Sequence, residues 1–295
     1  MTSAIADEFE SHRPRLFGLA YRMLGSADEA EDTVQDAYLR FSGADRAAIG
    51  QLGAWLAKVV TNLCLTRLTS ARARRESYVG SWLPEPVVTS DGTLGPLESA
   101  EQRDAVSMAV LVLLERLTPT ERAVYVLREA FAYGYRAIAD VLDLSEANCR
   151  QLHRRAVQRV GGPESRFVAA PERQEALVAS FVAASREGDL VGLEKLLAAD
   201  ATWWSDGGGR VSAALRPVEG REKVVRFLLG AFEKWGRGLR FTTAEVNGGT
   251  GVAMWAGEAL AALVTFDVRD GLIGDMRAVL NPDKLEFVRG QLAHP

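Results

Sequence analysis

The first 75 residues repeat apolar and polar positions at the period of an α-helix. One helix is predicted to end at Gly25-Ser26, and Ser26 with Glu29 three residues later indicates the start of a second helix that reaches Phe41. A third helix is predicted from about Leu52 to Leu68. It leads into a basic stretch without an acidic residue, formed by Arg67, Arg72, Arg74 and Arg75.

A proline- and glycine-rich stretch from about Glu76 to Gln102 interrupts the helical pattern, as expected of a linker. Helical patterning returns from Asp104 to Val160, and Thr118-Pro-Thr-Glu121 carries a capping signal at the start of a helix. Two short helices are predicted next, Tyr135 to Val141 and Ser145 to about Val160.

After Gly161-Gly-Pro the pattern changes to helices mixed with strands. Helices are predicted at Pro171 to Glu187, Leu190 to Ala198 and Gly220 to Trp235. Strands are predicted at Ala201 to Ser205, Leu239 to Val246, Gly251 to Trp255, Ala259 to Val268 and Leu272 to Leu280. Helices followed by antiparallel strands predict an α+β domain with helices on one face of the sheet.

Composition sets limits on the function. A chain of 295 residues should form two or three folded units. The net charge of −4 means that any DNA binding must come from local basic patches. No apolar stretch is long enough to span a membrane and the first residues do not resemble a signal peptide, so we expect a cytoplasmic protein with no membrane partner. Cys64 and Cys149 are expected to be buried thiols, with no disulfide, metal site or cofactor.

The last two helices of the second helical part separate their faces by chemistry. Cys149, Leu152 and Ala156 form an apolar inner face. The outer face carries side chains that bond base edges or phosphates in a DNA groove, namely Asn148, Arg150, Gln151, Arg154 and Arg155. This division predicts a helix-turn-helix, with an ordinary helical hairpin as the alternative.

Three sequence stretches resemble the extracytoplasmic-function sigma factors of bacterial RNA polymerase. Leu117-Thr-Pro-Thr-Glu-Arg, Tyr135-Arg-Ala-Ile-Ala-Asp-Val-Leu and Ser145-Glu-Ala-Asn-Cys-Arg-Gln-Leu-His-Arg-Arg-Ala are similar to their domain that binds the upstream (−35) promoter element. Asp28-Glu-Ala-Glu-Asp-Thr-Val-Gln-Asp-Ala-Tyr-Leu-Arg-Phe resembles their helix for the β′ clamp of the polymerase, and Trp55-Leu-Ala-Lys-Val-Val-Thr-Asn-Leu resembles their helix for the melted −10 element.

The resemblance implies two partners, promoter DNA and core RNA polymerase with its β′ clamp and β flap. It implies a polymerase-binding surface of Asp32, Gln35, Asp36, Leu39 and Arg40. For the −10 element it implies Trp55, Asn62, Arg67, Arg72, Arg74 and Arg75. The outer face of the helix-turn-helix would bind the −35 element.

The C-terminal part resembles the SnoaL-like (NTF2-like) fold, a conical α+β barrel found in the ECF41 group of these sigma factors. Three motifs carry this resemblance: Trp82-Leu83-Pro84-Glu85-Pro86, Asp206-Gly207-Gly208-Gly209-Arg210 and Asn281-Pro282-Asp283-Lys284-Leu285. Arg210 stands where the group commonly has Lys. We expect the three motifs to form a regulatory contact on the linker.

The expected architecture is therefore multidomain. Two all-α sigma domains, the second with the helix-turn-helix, precede the α+β domain. The boundaries are residues 1–75 for region 2, 76–103 for the linker, 104–162 for region 4 and 171–292 for the SnoaL-like domain.

Three roles are open for the C-terminal domain: catalysis, sensing of an unidentified small ligand, and control of the sigma domains. Fold relatives pair a base such as Asp206, Asp267 or Asp275 with an oxyanion partner such as Tyr, but residues 171–295 contain no Tyr. No enzymatic activity and no catalytic residue are therefore expected. Two other functions remain as alternatives, a helix-turn-helix regulator with an effector-binding domain and an isomerase or cyclase with a fused helical domain.

Overall fold

The computed structural model describes residues 2–76, 78–94, 105–161 and 171–293, without the side chains of 2–5, 71–76 and 171. The chain divides into a helical unit, Met1–Ser77 with Thr89–Gly162, and a C-terminal unit, Tyr78–Val88 with Pro163–Pro295. The segment 78–88 thus belongs to the C-terminal unit, although it lies between the two helical parts in sequence.

Helices form the regular structure described in the helical unit, apart from a 3₁₀ turn at Arg46–Ala48. They are α1 (Thr2–Glu10), α2 (Arg13–Leu24), α3 (Ala27–Ser42), α4 (Leu52–Glu76), α5 (Met108–Leu114), α6 (Pro119–Glu129), α7 (Tyr135–Leu142) and α8 (Glu146–Val160). Ser26 caps α3 by accepting a hydrogen bond from the Glu29 N–H, as predicted. Cys64 and Cys149 are buried and free, and burial raises the pKa of both thiols.

Helix α4 continues to Glu76, eight residues beyond its predicted end at Leu68. Alanine and arginine are good helix formers, so the basic stretch prolongs the helix instead of ending it. Position 76, predicted as linker, is therefore helical. The predicted start of the second helical part at Asp104 lies outside the described residues, and the first described helix after it begins at Met108.

The capping signal before α6 forms the complete two-way contact that its sequence predicts. The Thr118 hydroxyl accepts from the Glu121 N–H, and the Glu121 carboxylate accepts from the Thr118 N–H at 3.1 Å. Glu121 is buried and also binds the Arg159 guanidinium near the end of α8. One carboxylate thus fixes the start of α6 and ties it to the end of α8.

The two helical parts of this unit contact each other through three arginines, of which Arg22 and Arg122 are buried. Arg122 on α6 donates to the Met23 carbonyl at 2.8 Å and to Glu115 at 2.8 Å. The guanidinium groups of Arg15 and Arg22 on α2 lie 5.5 and 5.4 Å from the Phe131 ring centre. Burial lowers the pKa of both Arg22 and Arg122 to about 10, which leaves them charged at neutral pH.

The C-terminal unit combines a six-stranded sheet with helices. The helices are α9 (Pro171–Glu187), α10 (Leu190–Leu196), α11 (Arg221–Trp235) and α12 (Pro282–Ala293). The strands are β1 (Leu197–Asp206), β2 (Val218–Glu219), β3 (Arg240–Val246), β4 (Gly249–Ala256), β5 (Ala259–Arg269) and β6 (Leu272–Val279), in the order β2-β1-β6-β5-β4-β3. The predicted α+β class is confirmed.

The antiparallel prediction is wrong for one central pair, because β1 runs parallel to β6. Helix α11 and strands β2 to β5 lie between β1 and β6 in sequence, and so long a connection allows a parallel pairing that a hairpin does not. The other neighbouring strands pair antiparallel. The core of this unit lies between the sheet and helices α9, α10 and α11, with residues such as Val178, Leu193 and Val224.

Several elements of this unit differ from the prediction. Helix α10 stops at Leu196 and β1 begins at Leu197, so the predicted helical end at Ala198 is already strand. The two-residue β2 was not predicted, since so short a strand has no periodicity. Helix α12 was missed as well, because Asn281-Pro282 resembles a turn. It is a helix start: Pro282 is the first helical residue and Asn281 Oδ1 accepts from the Asp283 N–H at 3.1 Å.

Within the part of the chain that the structure describes, no helix is both long and apolar enough to cross a membrane.

We expect Glu121→Ala to lower the free energy of unfolding by about 2 kcal/mol, because the substitution removes the cap of α6 and the bond to Arg159. Urea unfolding followed by far-ultraviolet circular dichroism measures the change. Thr120→Ala on the same helical turn is the control and should cost less than about 0.5 kcal/mol. Equal stability of the two variants would contradict the assigned role of Glu121.

Candidate functional site

One side of α3 presents polar side chains around an exposed leucine. Asp32, Gln35 and Arg40 are exposed and Asp36 is half-buried. Leu39 is 61% exposed, the second most exposed of the large apolar side chains found on the surface of the described residues. The opposite side of α3 packs in the core through Val34 and its apolar neighbours. An exposed leucine among charges is typical of a protein-binding surface.

Of the predicted −10 residues on α4, the structure describes the side chains of Trp55, Asn62 and Arg67. Arg67 binds Asp36 at 2.7 Å and lies 3.7 Å from Asp32, so its charge faces the acidic side of α3. Trp55 is half-buried with its ring centre 6.2 Å from that of Phe41, and Asn62 is half-buried. The side chains of Arg72, Arg74 and Arg75 lie outside the described residues, although their backbone is helical.

Helices α7 and α8 form the predicted pair, joined by a turn in which Asp143 has a positive φ of 54°. Cys149 and Ala156 face inward and are buried. On the outer side, Arg150, Gln151, Arg154 and Arg155 are exposed and Asn148 is half-buried. Arg150 pairs with Glu146 at 2.5 Å and lies 5.3 Å from the Tyr135 ring centre. The helix therefore presents a mainly basic polar face of the kind that fits a DNA groove.

A histidine that the sequence analysis did not single out positions this helix. His153 on α8 bonds to the Tyr135 hydroxyl through Nδ1 at 3.0 Å and to Glu129 on α6 through Nε2 at 2.9 Å. The hydrogen bond from His153 lowers the pKa of Glu129. Histidine alone carries no pattern in a sequence, so only the structure shows that it connects three helices.

The C-terminal unit contains a buried polar cluster, here called the linker clasp, formed by Tyr78, Leu83, Asp206, Asn281 and Lys284. The carboxylate of Asp206, which has no exposed surface, accepts four hydrogen bonds. Its donors are the Tyr78 hydroxyl at 2.6 Å, the Leu83 N–H at 2.8 Å, the Lys284 ammonium at 2.7 Å and the Gly208 N–H at 3.1 Å. Lys284 also donates to the Leu83 carbonyl at 2.5 Å.

The three motifs singled out in the sequence therefore meet at one point. The backbone of Leu83 is held from both sides, since its N–H reaches Asp206 and its carbonyl reaches Lys284. The Trp82 ring lies 4.3 Å from the Lys284 ammonium. Pro84, Pro86 and Leu285 are buried and Glu85 is half-buried.

Gly208 has no room for a side chain at this point. Its φ is 58°, and a Cβ there would lie 2.3 Å from the Asn281 amide nitrogen and 3.0 Å from the Tyr78 hydroxyl. Gly207 is equally confined, whereas Gly209 is exposed. The glycine loop thus lets its backbone approach the clasp closely. At the surface Arg210 lies 3.2 Å from Asp283, and Pro282 is exposed.

Tyr78 is a residue that the sequence analysis missed. Its hydroxyl also accepts from the Asn281 side-chain amide at 3.0 Å. Burial, and then the Asp206 carboxylate, raise the pKa of the Tyr78 phenol, so Tyr78 remains a hydrogen-bond donor at neutral pH. The absence of Tyr from residues 171–295 had indicated that no Tyr–Asp pair exists. The pair does exist, because the linker supplies the tyrosine.

Two further side chains hold the rest of the segment. Asn247, in the turn between β3 and β4, exchanges hydrogen bonds with the Val87 backbone at 3.2 and 3.0 Å. Gln291 on α12 accepts from the Val88 N–H at 2.9 Å. Val88 also forms an isolated β-bridge with Val246. Neither Asn247 nor Gln291 lies in a motif, so no signal in the sequence pointed to them.

The candidate catalytic acids lie away from the apolar cavity of this unit. Asp206, Asp267 and Asp275 are absent from the cavity lining that the structure describes. Asp206 is engaged in the clasp, and Asp275 pairs with Arg277 at 2.8 Å. General acid–base chemistry requires a titratable group within hydrogen-bond reach of the substrate. The described lining therefore contains none of the three candidate bases.

Comparison with known proteins matches both helical parts to the sigma-70 family. Residues 9–74 match the Sigma-70 region 2 model and residues 107–160 match the Sigma-70 region 4 model. The ECF RNA polymerase sigma factor SigJ of Mycobacterium tuberculosis is 40% identical over 288 residues, which cover 94% of this chain and 92% of SigJ. The probable ECF sigma factor SigI of the same species is 30% identical, covering 98% and 97%.

The solved structure of one of these relatives agrees with the match. The crystal structure of M. tuberculosis SigJ has a TM-score of 0.77 at 36% identity and covers 95% of this chain and 98% of that chain. An NTF2-like protein from Burkholderia xenovorans aligns with 39% of this chain and 95% of its own, with 15% identity and a TM-score of 0.30.

Two sigma-70 regions in this order define an RNA polymerase sigma factor. A full-length relationship to SigJ makes the assignment more specific, and the chain belongs to the ECF RNA polymerase sigma factors. It binds core RNA polymerase and promoter DNA and directs transcription initiation, and its family is not enzymatic. This assignment takes the place of the two alternatives, an isomerase or cyclase with a fused helical domain and a helix-turn-helix regulator with an effector-binding domain.

We expect Asp206→Asn to lower the free energy of unfolding by about 3 to 5 kcal/mol, because it leaves Lys284 buried without a counter-charge. Urea unfolding followed by tryptophan fluorescence reports this, since Trp82, Trp203 and Trp255 lie in the C-terminal unit.

The matched control is Asp283→Asn. This makes the same chemical change in an ion pair that also joins the glycine loop to the last motif, but Arg210 and Asp283 are 66% and 64% exposed. A surface pair of this kind contributes about 0 to 1 kcal/mol. Similar losses of unfolding free energy in the two variants would show that the burial of Asp206 does not account for the stability of the clasp.

Proposed function

We propose that this sigma factor contacts core polymerase through α3, the −10 element through α4 and the −35 element through α8, and that its C-terminal unit controls it by holding the linker. One observation supports the control by the C-terminal unit. The Leu83 N–H donates to Asp206 and the Leu83 carbonyl accepts from Lys284, so both members of a buried ion pair bind the linker backbone. Because core polymerase is cytoplasmic, we infer that the protein acts in the cytoplasm.

The polymerase surface consists of Asp32, Gln35, Asp36, Leu39 and Arg40, and its partner is the β′ clamp. Leu39 would be the apolar anchor, and the charges around it would give orientation and specificity. Arg67 strengthens this surface by holding Asp36 in place, a role that differs from the −10 contact expected from the sequence. Region 4 would contact the β flap.

Promoter recognition divides between two helices. Arg154 and Arg155 with Gln151 and Asn148 on α8 would bind the −35 duplex, and Arg150 would first have to leave Glu146. Trp55 and Asn62, with the basic end of α4, would bind the melted −10 strand through stacking and phosphate contacts.

Within the helical unit an ion pair joins α4 to the turn between α7 and α8. Lys58 on α4 binds the Asp143 side chain at 2.7 Å and the Asp140 carbonyl at 2.8 Å, in the turn of the helix-turn-helix. The −10 and −35 elements are separate sites on the promoter, so α4 and α8 would part when both bind DNA. We infer that the Lys58–Asp143 contact belongs to the sigma factor before it engages the promoter.

The linker is where the C-terminal unit acts. Residues 78–88 follow α4, the last helix of region 2, and precede region 4 in sequence. A clasped linker limits the separations and orientations that the two sigma domains can adopt. Limiting them in advance lowers the entropy lost when both domains bind one promoter.

Leu39→Ser should weaken binding to core polymerase about tenfold, since loss of an apolar anchor costs about 1 to 2 kcal/mol. Fluorescence anisotropy of the labelled full-length chain titrated with core enzyme measures the affinity. Val191→Ser is the matched control, an exposed aliphatic residue of similar exposure, 57%, on α10. Core binding by Leu39→Ser that equals the control would remove α3 from the polymerase interface.

Tyr78→Phe should reduce promoter-directed transcription by about threefold or more while core affinity is unchanged, because it removes one charged hydrogen bond of the clasp. Limited proteolysis within residues 78–88 should become faster in the same variant, which shows that the linker has loosened. Tyr133→Phe in the helical unit serves as control. Transcription that is unchanged in a variant with a demonstrably looser linker would contradict control through the clasp.

A further inference from the structure

Within the helical unit, the chain that follows the clasped segment docks on region 2. Leu94 is buried, with 3% of its surface exposed. Its backbone carbonyl lies against Gly18 in the middle of α2, where a Cβ on residue 18 would be only 2.6 Å from the Leu94 oxygen. Any residue larger than glycine would therefore push the Leu94 backbone away. This contact between Gly18 and Leu94 is here called the linker slot.

The slot explains why a glycine lies inside α2. Glycine in the interior of a helix is less favourable than alanine, because it loses more conformational freedom on folding. Gly18 is buried, and its carbonyl accepts a hydrogen bond from the Arg22 guanidinium at 2.9 Å. Both residues belong to α2, so the wall of the slot is part of region 2 and does not require region 4.

The slot shortens the free chain between the two sigma regions. Val88 is bonded to Gln291 in the C-terminal unit, and Val106 is buried just before α5. With Leu94 in the slot, residues 95–105 join region 2 to region 4 and span at most about 40 Å. With the slot empty, residues 89–105 are available and span at most about 60 Å. The difference equals roughly six base pairs of DNA, at about 3.4 Å each.

We propose that the linker slot determines how far apart the −10 and −35 elements of a usable promoter can lie. A protein that binds two DNA elements at once must match the distance between them. Stretching a short chain towards its full length restricts its conformations, so a promoter with a long spacer is disfavoured while the slot holds Leu94. The inference rests on the proposed function in one respect, the assignment of α4 and α8 to the two elements.

Transcription from a template pool measures the spacing directly. The full-length protein with core polymerase transcribes DNA that carries a random upstream sequence, and sequencing of the transcribed templates gives the two enriched motifs and the distance between them. Gly18→Val fills the slot and lengthens the free chain. Templates with a spacer three base pairs longer than the most frequent one should become at least threefold more common.

The matched control is Gly53→Val on α4. It is the same change in a helical glycine of region 2, but a Cβ there has its nearest neighbour, His12 Cε1, at 3.5 Å. Its spacing distribution should equal that of the wild type.

Hydrogen exchange followed by mass spectrometry shows whether Leu94 has left the slot. The amides of residues 89–94 should exchange at least tenfold faster in Gly18→Val than in Gly53→Val. Equal exchange rates would show that the slot does not hold the linker. Fast exchange together with a wild-type spacing distribution would refute the effect on promoter choice.

A second variant does not depend on the folding of Gly18→Val. Insertion of six Gly and Ser residues between Leu94 and Gly95 lengthens the free chain and leaves α2 unchanged. It should shift the spacing distribution in the same direction, and a wild-type distribution would overturn the proposal. The bases enriched within each motif report on the contacts of α4 and α8, so a failure of the proposed function alters the motifs. A failure of this inference leaves both the motifs and their spacing as in the wild type.

Discussion

A carboxylate buried without exposed surface sets the architecture of the C-terminal unit. Asp206 stands at the end of β1, and leaving it unpaired there would cost several kcal/mol. Its neutralisation requires Lys284, which requires α12 to begin at Pro282, and the remaining acceptor capacity takes the Tyr78 hydroxyl and the Leu83 N–H. The Asp206 carbonyl also accepts from the Leu280 and Asn281 N–H groups. One residue thereby fixes a strand end, a helix start and the linker path.

The helical unit differs from the C-terminal unit, because the side chains that we propose to bind polymerase and promoter lie on its surface. Its buried polar contacts, such as Arg122 with Met23 and Glu121 with Arg159, lie between helices. The exposed leucine of α3 and the arginines of α8 lie on the outside. Where a side chain that we propose to bind the promoter has a partner, as Arg150 has in Glu146, the pair is exposed and costs little free energy to open.

Local signals were predictable from the sequence, and distant pairings were not. Ser26 and Thr118 cap helices through contacts three residues away, so spacing alone predicted where these helices begin. The parallel pairing of β1 with β6 joins residues more than 70 positions apart, and no periodicity encodes it. The motifs around Asp206 and Asn281 indicated where a contact forms. Tyr78, Asn247 and Gln291 could not be found, since each acts through a partner far away in sequence.

The order of the clasp partners along the chain has a consequence for biosynthesis. Tyr78 and Leu83 are made early, Asp206 much later, and Lys284 last of the four. During translation both sigma regions can fold while their connecting segment is still unheld, because domains fold as units from the N-terminus. The clasp closes only after the final helix has emerged from the ribosome. A chain that stops before Lys284, through a premature stop or a protease, keeps both sigma-70 regions but lacks the ammonium group that pairs with Asp206.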